Sequence, residues 1–272
     1  MKLAYFGNDM FSSCFDVFVE RGHQICAVYV NPIEGIAANM LAKATRLGLT
    51  VRTGLPLPEE MKALVDEGVT LFFSAEYQHK IPTPSGLRYG VNLHTSLLPE
   101  GRGATPLPYF THGQHQHSGL TLHKLTPQFD CGDIIINTAV GVEEHDTLNS
   151  LMVKMHLQAP ELVEQFLRDI DFYYTNAQPQ MGGSYWPVPD ITERLLDPDL
   201  TTVELQQRIK RFGHFGLFLK FEDRFWRVIH AEAVPYDAEK SPGELLFEHS
   251  EMLAISNRDG FICIPKYCLV EL

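Results

Sequence analysis

Asn92 and His94 lie two apart in the run Gly90-Val91-Asn92-Leu93-His94, which reads as a strand. Alternate residues of a strand share a face, so the amide and the imidazole point the same way. That pairing suits acyl transfer. The imidazole can take or give a proton. The amide NH2 can stabilise an oxyanion, an effect of about 3 kcal/mol for one donor. A carboxylate such as Asp130, in Phe129-Asp130-Cys131-Gly132-Asp133, could orient the imidazole and hold its charged form. Each signal is weak when taken singly: Asn-x-His is a common spacing, and Asp130 alone reads as a turn former.

Other reactive residue types compete for attention. His112, His115 and His117 have a spacing that could hold a metal ion, yet no acidic or Cys ligand adjoins them. The segment reads instead as a turn between helix and strand, and whether it binds a metal stays open. The Cys131 thiol beside Asp130 could be taken for a nucleophile, a reading given little weight. Phe11, Phe15 and Phe18 recur at helical spacing and read as core rather than as a cofactor box. Tyr185-Trp186-Pro187 could wall an acceptor site or pin the chain that carries it, and the second reading is preferred.

These residues must be positioned by a larger framework. The first half alternates strand signals (3–6, 25–30, 49–52, 69–74, 90–94) with helix signals (10–20, 37–47, 59–67, 105–112). Alternation of this kind predicts βαβ units and a mainly parallel sheet, with ligands at the carboxyl ends of the strands. Further strands are expected at 119–125 and 133–140. A long helix is expected over 145–170, with Thr147 as a cap and a kink or break at Pro160. Phe6-Gly7-Asn8-Asp9 is no GxGxxG, which weakens a dinucleotide-dependent reading.

Composition shifts after Ile170. Residues 178–190, Gln-Pro-Gln-Met-Gly-Gly-Ser-Tyr-Trp-Pro-Val-Pro-Asp, read as connecting chain by their Gly and Pro content. A helix is expected through Arg211. Five short strands at 217–221, 225–233, 244–247, 252–256 and 261–264 then suggest a small β-barrel. The expected organisation is a catalytic domain over 1–177, a linker over 178–198 and a second domain over 199–272.

The 272 residues include 34 acidic and 22 basic side chains, a formal charge of −12. Phosphate-binding surfaces need clustered cations, and the densest cluster here is Arg208, Lys210 and Arg211, so nucleic acid is disfavoured as a bulk partner. Five cysteines with no CxxC pair support neither a disulfide framework nor a zinc ribbon and fit a reducing cytoplasm. The amino terminus enters a strand at once, without a signal-peptide pattern. No apolar run approaches the ~18 residues of a membrane span.

Taken together, Asn92-Leu93-His94, Ser96-Leu97-Leu98-Pro99, Arg102-Gly103-Ala104-Thr105-Pro106 and Asp130-Cys131-Gly132-Asp133 occur in the order of a known pattern. The chain resembles the folate-dependent formyltransferase family, which includes methionyl-tRNA formyltransferase and amino-sugar N-formyltransferases. The resemblance implies a Rossmann-like formyltransferase domain followed by a small OB-like barrel, to which Pro242-Gly243-Glu244-Leu245-Leu246 and Asp259-Gly260-Phe261-Ile262 are similar. It implies a catalytic triad of Asn92 as oxyanion donor, His94 as general base and Asp130 as the group that raises the histidine pKa. It also implies N10-formyltetrahydrofolate as co-substrate, with no metal. Folate would lie against Glu76, Tyr77 and Gln78, the turn Ser96, Leu97, Leu98 and Pro99, and the loop Thr126, Pro127, Gln128 and Phe129 leading to Asp130. Tyr77, Leu98 and Phe129 would supply apolar walls.

The acceptor amine is less well marked. The tRNA-acting branch carries a basic insertion after its second strand, whereas the matching stretch here, 31–39, has no Lys or Arg. Where the aminoarabinose branch has Arg, this chain has Ala104. The expected acceptor is a small-molecule amine, with an amino sugar on a nucleotide carrier as the leading case. Methionyl-tRNA, a hydroxamate-forming amine and a non-catalytic folate-binding module are the alternatives. A homodimer is admitted.

Overall fold

The computed structural model describes residues 1–33, 35–237 and 239–272; Glu34, within the stretch that lacks basic residues, lies outside them. The chain forms two compact units. The first comprises Met1–Leu107, Gln116–Gly141 and Met152–Pro187, and the second comprises Pro108–His115, Val142–Leu151 and Val188–Leu272.

The first unit is built on a seven-stranded sheet. Its strands are β1 (Lys2–Gly7), β2 (Gln24–Tyr29), β3 (Val51–Arg52), β4 (Leu71–Ala75), β5 (Tyr89–His94), β6 (Gly119–Lys124) and β7 (Ile134–Ala139). The spatial order is β3-β2-β1-β4-β5-β6-β7. The pairs from β3 through β5 are parallel, and β6 and β7 are antiparallel additions. The sheet is therefore mixed but mainly parallel, Rossmann-like in its first half.

Alternation along β1 explains why helices cover both faces. Tyr5 turns one way, stacking on Phe73 at 5.8 Å and meeting the edge of Phe15 at 5.4 Å. Phe6 turns the other way, stacking on Tyr29 at 4.7 Å and meeting Phe72 at 5.6 Å. Phe15 and Phe18 come from α1 (Ser12–Glu20) on the first face. Met61 and Leu64 from α3 (Pro58–Asp66) pack on the second, while α2 (Ala38–Arg46) supplies buried Met40 and Ala44. Phe11, Phe15 and Phe18 are all buried, as core residues are.

The short helix α4 spans Leu107–Phe110, and α5 runs unbroken from Leu148 to Arg168 with Pro160 inside it. Thr147 caps it, accepting the Ser150 N–H at 3.2 Å. Proline has no N–H, so the carbonyl four residues earlier loses its helical donor. That carbonyl belongs to His156, and the Ser13 hydroxyl donates to it at 3.2 Å. The helix continues through the proline because a neighbouring element replaces the missing donor. Asp169 then accepts the Phe172 N–H at 3.0 Å and starts a separate short helix, α6 (Ile170–Thr175).

The second unit carries α7 (Thr202–Phe212) and two antiparallel sheets, ordered β10-β13-β12-β11 and β14-β9-β8. These strands are β8 (Leu217–Phe221), β9 (Arg224–Val228), β10 (Glu232–Pro235), β11 (Leu245–Glu248), β12 (Met252–Asn257), β13 (Gly260–Pro265) and β14 (Leu269–Glu271). The run expected as one strand over 225–233 divides because its two ends pair in different sheets. Strand β14 escapes a periodicity search because it is three residues long and mostly exposed. Leu205, Phe212, Leu217, Val228, Ile255 and Ile262 are among its buried core.

Ser13→Ala removes the donor that stands in for Pro160. Equilibrium urea unfolding should show a loss of about 1 kcal/mol, whereas an unchanged midpoint would mean that the His156 carbonyl needs no protein donor.

Candidate active site

The sheet register assembles the site. Asn92 of β5 sits directly opposite His123 of β6, and His94 sits opposite Thr121. Across the parallel neighbour, Ser74 of β4 pairs with Asn92. His94 and Asn92 therefore lie at the carboxyl end of β5, with Glu76 just beyond the end of β4. Residues 95–103 fold back over this end, and residues 125–133 close the other side between β6 and β7.

Four side chains converge there. The Asp130 Oδ1 atom lies 3.4 Å from His94 Nδ1 and 3.6 Å from His123 Nε2. Its Oδ2 accepts the Gly103 N–H at 3.0 Å. The Asn92 amide nitrogen is 3.0 Å from His123 Nε2. His94, His123 and Asp130 are buried. The sequence motifs point to Asn92, His94 and Asp130 but not to His123. Its signal was the alternation that puts it on the Thr121 face of β6, which becomes informative only once the β5–β6 register is known.

Hydrogen-bond partners assign the protons. His94 Nε2 is 2.8 Å from the Gly101 carbonyl, which can only accept. In this ring orientation Nε2 carries the hydrogen, and Nδ1, facing Asp130, is the nitrogen that can take a proton. His123 Nδ1 likewise faces the Lys124 carbonyl at 2.9 Å, so its Nε2 accepts from the Asn92 amide. An amide NH2 has two hydrogens. One is spent on His123, and the other can serve an incoming oxygen.

Burial and charge pull the two central groups apart. Burial pushes the His94 pKa below its ordinary value, against an opposing pull from the Asp130 charge and the Gly101 carbonyl. Burial also pushes the Asp130 carboxyl up, but the His123 and His94 imidazoles and the Gly103 N–H outweigh it and hold the group at about 2. At neutral pH the pair is a neutral base beside a carboxylate, ready to receive a proton.

A second strand of chain fixes the loops that carry these groups. Residues 178–187 lie within the first unit. The Ile134 N–H donates to the Gln178 carbonyl at 2.8 Å, and the Gln178 N–H to the Ile134 carbonyl at 2.8 Å. The Arg102 N–H donates to the Ser184 carbonyl at 3.0 Å, and the Trp186 N–H to the Arg102 carbonyl at 2.8 Å. Ser184 Oγ accepts the Gly101 N–H at 3.1 Å and donates to Glu100. The glycines are required by this close approach. A Cβ at Gly101 would meet the Trp186 ring at 2.7 Å, and one at Gly103 would meet the Trp186 carbonyl at 2.5 Å. Both glycines also have positive φ, 74° and 123°. Trp186 is thus a packing element of the strap, and Tyr185 is exposed.

The residues expected against folate are distributed unevenly. Ser96 is buried, donating to the Glu100 carbonyl at 2.7 Å, and Leu98 is buried beside it. Leu97 and Pro99 are partly exposed in the same turn. Tyr77 is buried against Phe6 at 5.6 Å, with its hydroxyl donating to the Gly54 carbonyl at 3.3 Å. Thr126, Pro127, Gln128 and Phe129 are exposed, and Gln78 is exposed at the end of β4. Of the three expected apolar walls only Phe129 presents an open ring, with the Lys80 ammonium 5.7 Å from its centroid.

Glu76 has a left-handed backbone, φ 63°, and anchors a polar knot. Asn8 donates to its carbonyl at 2.7 Å, and its Oε2 accepts the Met10 N–H at 3.0 Å. Burial, opposed by the Met10 N–H and aided by the Asp9 charge, raises its pKa to about 7. Among the described residues there is no group of three or more His, Cys, Asp or Glu placed to hold a metal ion. No helix there is long and apolar enough to cross a membrane. The five cysteines are free thiols.

With this geometry in hand, comparison with known proteins is informative. Residues 57–167, which contain Asn92, His94, His123 and Asp130, match the formyl transferase family model. Over that segment the chain is similar to the formyl transferase family. A methionyl-tRNA formyltransferase of Streptococcus pneumoniae is 24% identical over 286 residues, covering 97% of this chain and 90% of that protein. Among solved structures, HypX from Aquifex aeolicus in complex with tetrahydrofolic acid aligns with a TM-score of 0.71 at 18% identity. That alignment covers 97% of this chain but only 43% of the HypX chain, so this chain spans less than half of HypX. The N-formyltransferase from Helicobacter canadensis, in complex with folinic acid and dTDP-3-aminofucose, aligns with a TM-score of 0.62 at 19% identity, covering 97% and 98% of the two chains. At these identities the structural likeness is one of fold.

Glu76→Gln tests the raised pKa of this carboxyl. A carboxyl whose folded pKa is about 7, against 4.5 ordinarily, binds its proton more tightly when folded. Stability then falls as pH rises through that window. The glutamine cannot titrate, so its stability margin over the parent should widen from about pH 4.5 to 7, by at most about 3 kcal/mol. Parallel urea curves at every pH would show that Glu76 is not held protonated.

Proposed function

We propose that the chain transfers the formyl group of N10-formyltetrahydrofolate to a primary amine of a small molecule, an amino sugar carried on a nucleotide. The observation that carries the reading is the convergence of Asn92, His94 and His123 on the buried Asp130 carboxylate. The folate donor supplies an activated formyl carbon, and the exposed 126–129 loop beside Asp130 offers backbone groups and the Phe129 ring to hold a pterin. HypX and the Helicobacter enzyme were both captured with folates, and the latter also with a nucleotide-linked amino sugar. We read residues 1–177 as the catalytic domain and the small sheets of 199–272 as an OB-like domain, and place the enzyme in the cytoplasm.

The chemistry follows from the proton assignments. A neutral amine attacks the formyl carbon, and His94 Nδ1 takes the proton released as the tetrahedral intermediate forms. Asp130, charged throughout the working range, stabilises the imidazolium. The second Asn92 amide hydrogen meets the developing oxyanion. Collapse expels tetrahydrofolate, and His94 returns its proton to the departing nitrogen. Cys131 is not required.

The acceptor assignment rests on charge. Arg208 donates to the Leu195 and Thr192 carbonyls at 2.5 and 3.0 Å, Lys210 donates to the Glu144 carbonyl, and Arg211 pairs with Glu193 at 2.9 Å. The densest basic cluster of the sequence is engaged within its own unit, which favours a small amine over tRNA.

Release of tetrahydrofolate should be followed with the folate donor and separate pools of amino-sugar nucleotides, amino acids and charged initiator tRNA. The amino-sugar pool is expected to support turnover. His94→Ala and Asp130→Asn should each reduce kcat about 10²–10⁴-fold. Turnover with tRNA alone would replace the acceptor, and no turnover with any pool would overturn the enzymatic reading. His94 must be neutral to act, and its pKa is lowered. The rate should therefore fall on the acid side with a midpoint below 6.5 and stay level through neutrality. A midpoint above that value would assign the base elsewhere.

A further inference from the structure

Gln180 lies in the Gly- and Pro-rich stretch that follows the catalytic motifs, yet its side chain is saturated at both ends. Its Oε1 accepts from Arg102 Nε at 3.0 Å and Nη2 at 2.8 Å. Its Nε2 donates to the Asp130 carbonyl at 2.9 Å and the Gly132 carbonyl at 2.7 Å. These partners fix the amide orientation, since a guanidinium can only donate and carbonyls can only accept. Arg102 makes a further bond to the Gly182 carbonyl at 2.9 Å, which closes the loop of contacts.

The bridged segments are the two that hold the reacting groups. Gly101 and Gly103, either side of Arg102, bond His94 and Asp130 respectively. Asp130 itself has φ 55°, in the left-handed region that non-glycine residues rarely adopt. Two side-chain donations from Gln180 land on the carbonyls of that strained residue and of Gly132, two positions on. The opposite wall is equally tight, because a Cβ on Gly132 would overlap the Lys124 carbonyl at 1.8 Å. Residues 130–132 are gripped between β6 and Gln180.

We propose that Gln180 is a positioning residue: it holds the Asp130 backbone in its left-handed conformation so that the carboxylate stays against His94 and His123. The inference deepens the formyl-transfer reading, on which it rests, and extends the site to a residue that bonds the Asp130 backbone and not its carboxylate. Gln180 acts on the base only through Asp130. The titratable groups that face His94 are Asp130 and His123, and the Asp130 charge is the one that favours the protonated imidazole. Withdrawing that charge makes the imidazole harder to protonate.

The test is an NMR titration of the His94 imidazole in the parent, Gln180→Met, Asp130→Asn and the double variant, with circular dichroism to verify folding. Methionine matches the length of glutamine but offers neither end of the amide. The His94 midpoint is expected to move to lower pH in Gln180→Met, toward its position in Asp130→Asn. In the double variant Gln180→Met should add no further shift, since Asp130 has already lost its charge. An unshifted midpoint in folded Gln180→Met, or a shift that adds fully to that of Asp130→Asn, would overturn the proposal. If Gln180→Met does not fold, Gln180→Asn carries the same expectation, because the shorter amide cannot span Arg102 and the 130–132 carbonyls together. The titration needs no acceptor, so it separates from the catalytic reading: a His94 shift without turnover keeps Gln180 and rejects formyl transfer, while turnover without the shift does the reverse.

Discussion

A carboxylate taken out of water needs a donor or a nearby ionisable base, or it takes up a proton; Asp130 has a donor at one oxygen and two ionisable imidazoles at the other. One oxygen receives a backbone N–H, and the other faces two imidazoles. That single requirement explains much of the site. The loop after β6 must present Asp130 in an unfavourable backbone conformation, and the chain after β5 must bring the Gly103 N–H to it. It also explains why the histidine beside it can be both neutral and useful. Burial alone would make His94 a poor base, and the adjacent negative charge restores its capacity to hold a proton once one arrives.

The sheet supplies precision, and the strap over 178–187 supplies closure. β5 and β6 are antiparallel neighbours, so Asn92 and His123 are placed by backbone hydrogen bonding rather than by loop flexibility. Sites on regular elements hold their geometry better than sites on loops alone. The loops that carry Gly101, Gly103 and Asp130 are then tied down by Ser184, Trp186 and Gln180. The tight glycines make sense in this light, because the strap lies where their side chains would be.

The candidate positions Asn92, His94 and Asp130 were legible in the sequence because they sit in short contiguous motifs, the first two on a strongly patterned strand. Asn92 and His94 need only the period of a strand to share a face, and the α/β alternation places that strand end at a ligand-binding edge. His123 was not legible, because its partnership with Asn92 depends on the register between two strands. Gln180 was hidden for a related reason. A polar residue in a Gly- and Pro-rich stretch carries no periodic signal, and what makes it matter lies fifty residues away in Asp130. The expected break at Pro160 failed because a Ser13 hydroxyl from another helix supplies the missing donor. The strand expected over 225–233 failed because strand propensity does not say which sheet each end will join. The exposed loop over 126–129 was read correctly as loop, while the burial of Tyr77 was not, since an aromatic at a strand end serves a core as readily as a ligand.

The account stands or falls on whether a folate reaches the Asp130 centre. The most direct measurement is a titration of the protein with 5-formyltetrahydrofolate, a stable analogue of the donor, followed by the imidazole resonances of His94 and His123. The account predicts saturable binding that shifts both sets of resonances together, with the shift lost when Phe129 is replaced by Ala. Absence of binding, or saturation that leaves both imidazoles unmoved, would contradict it.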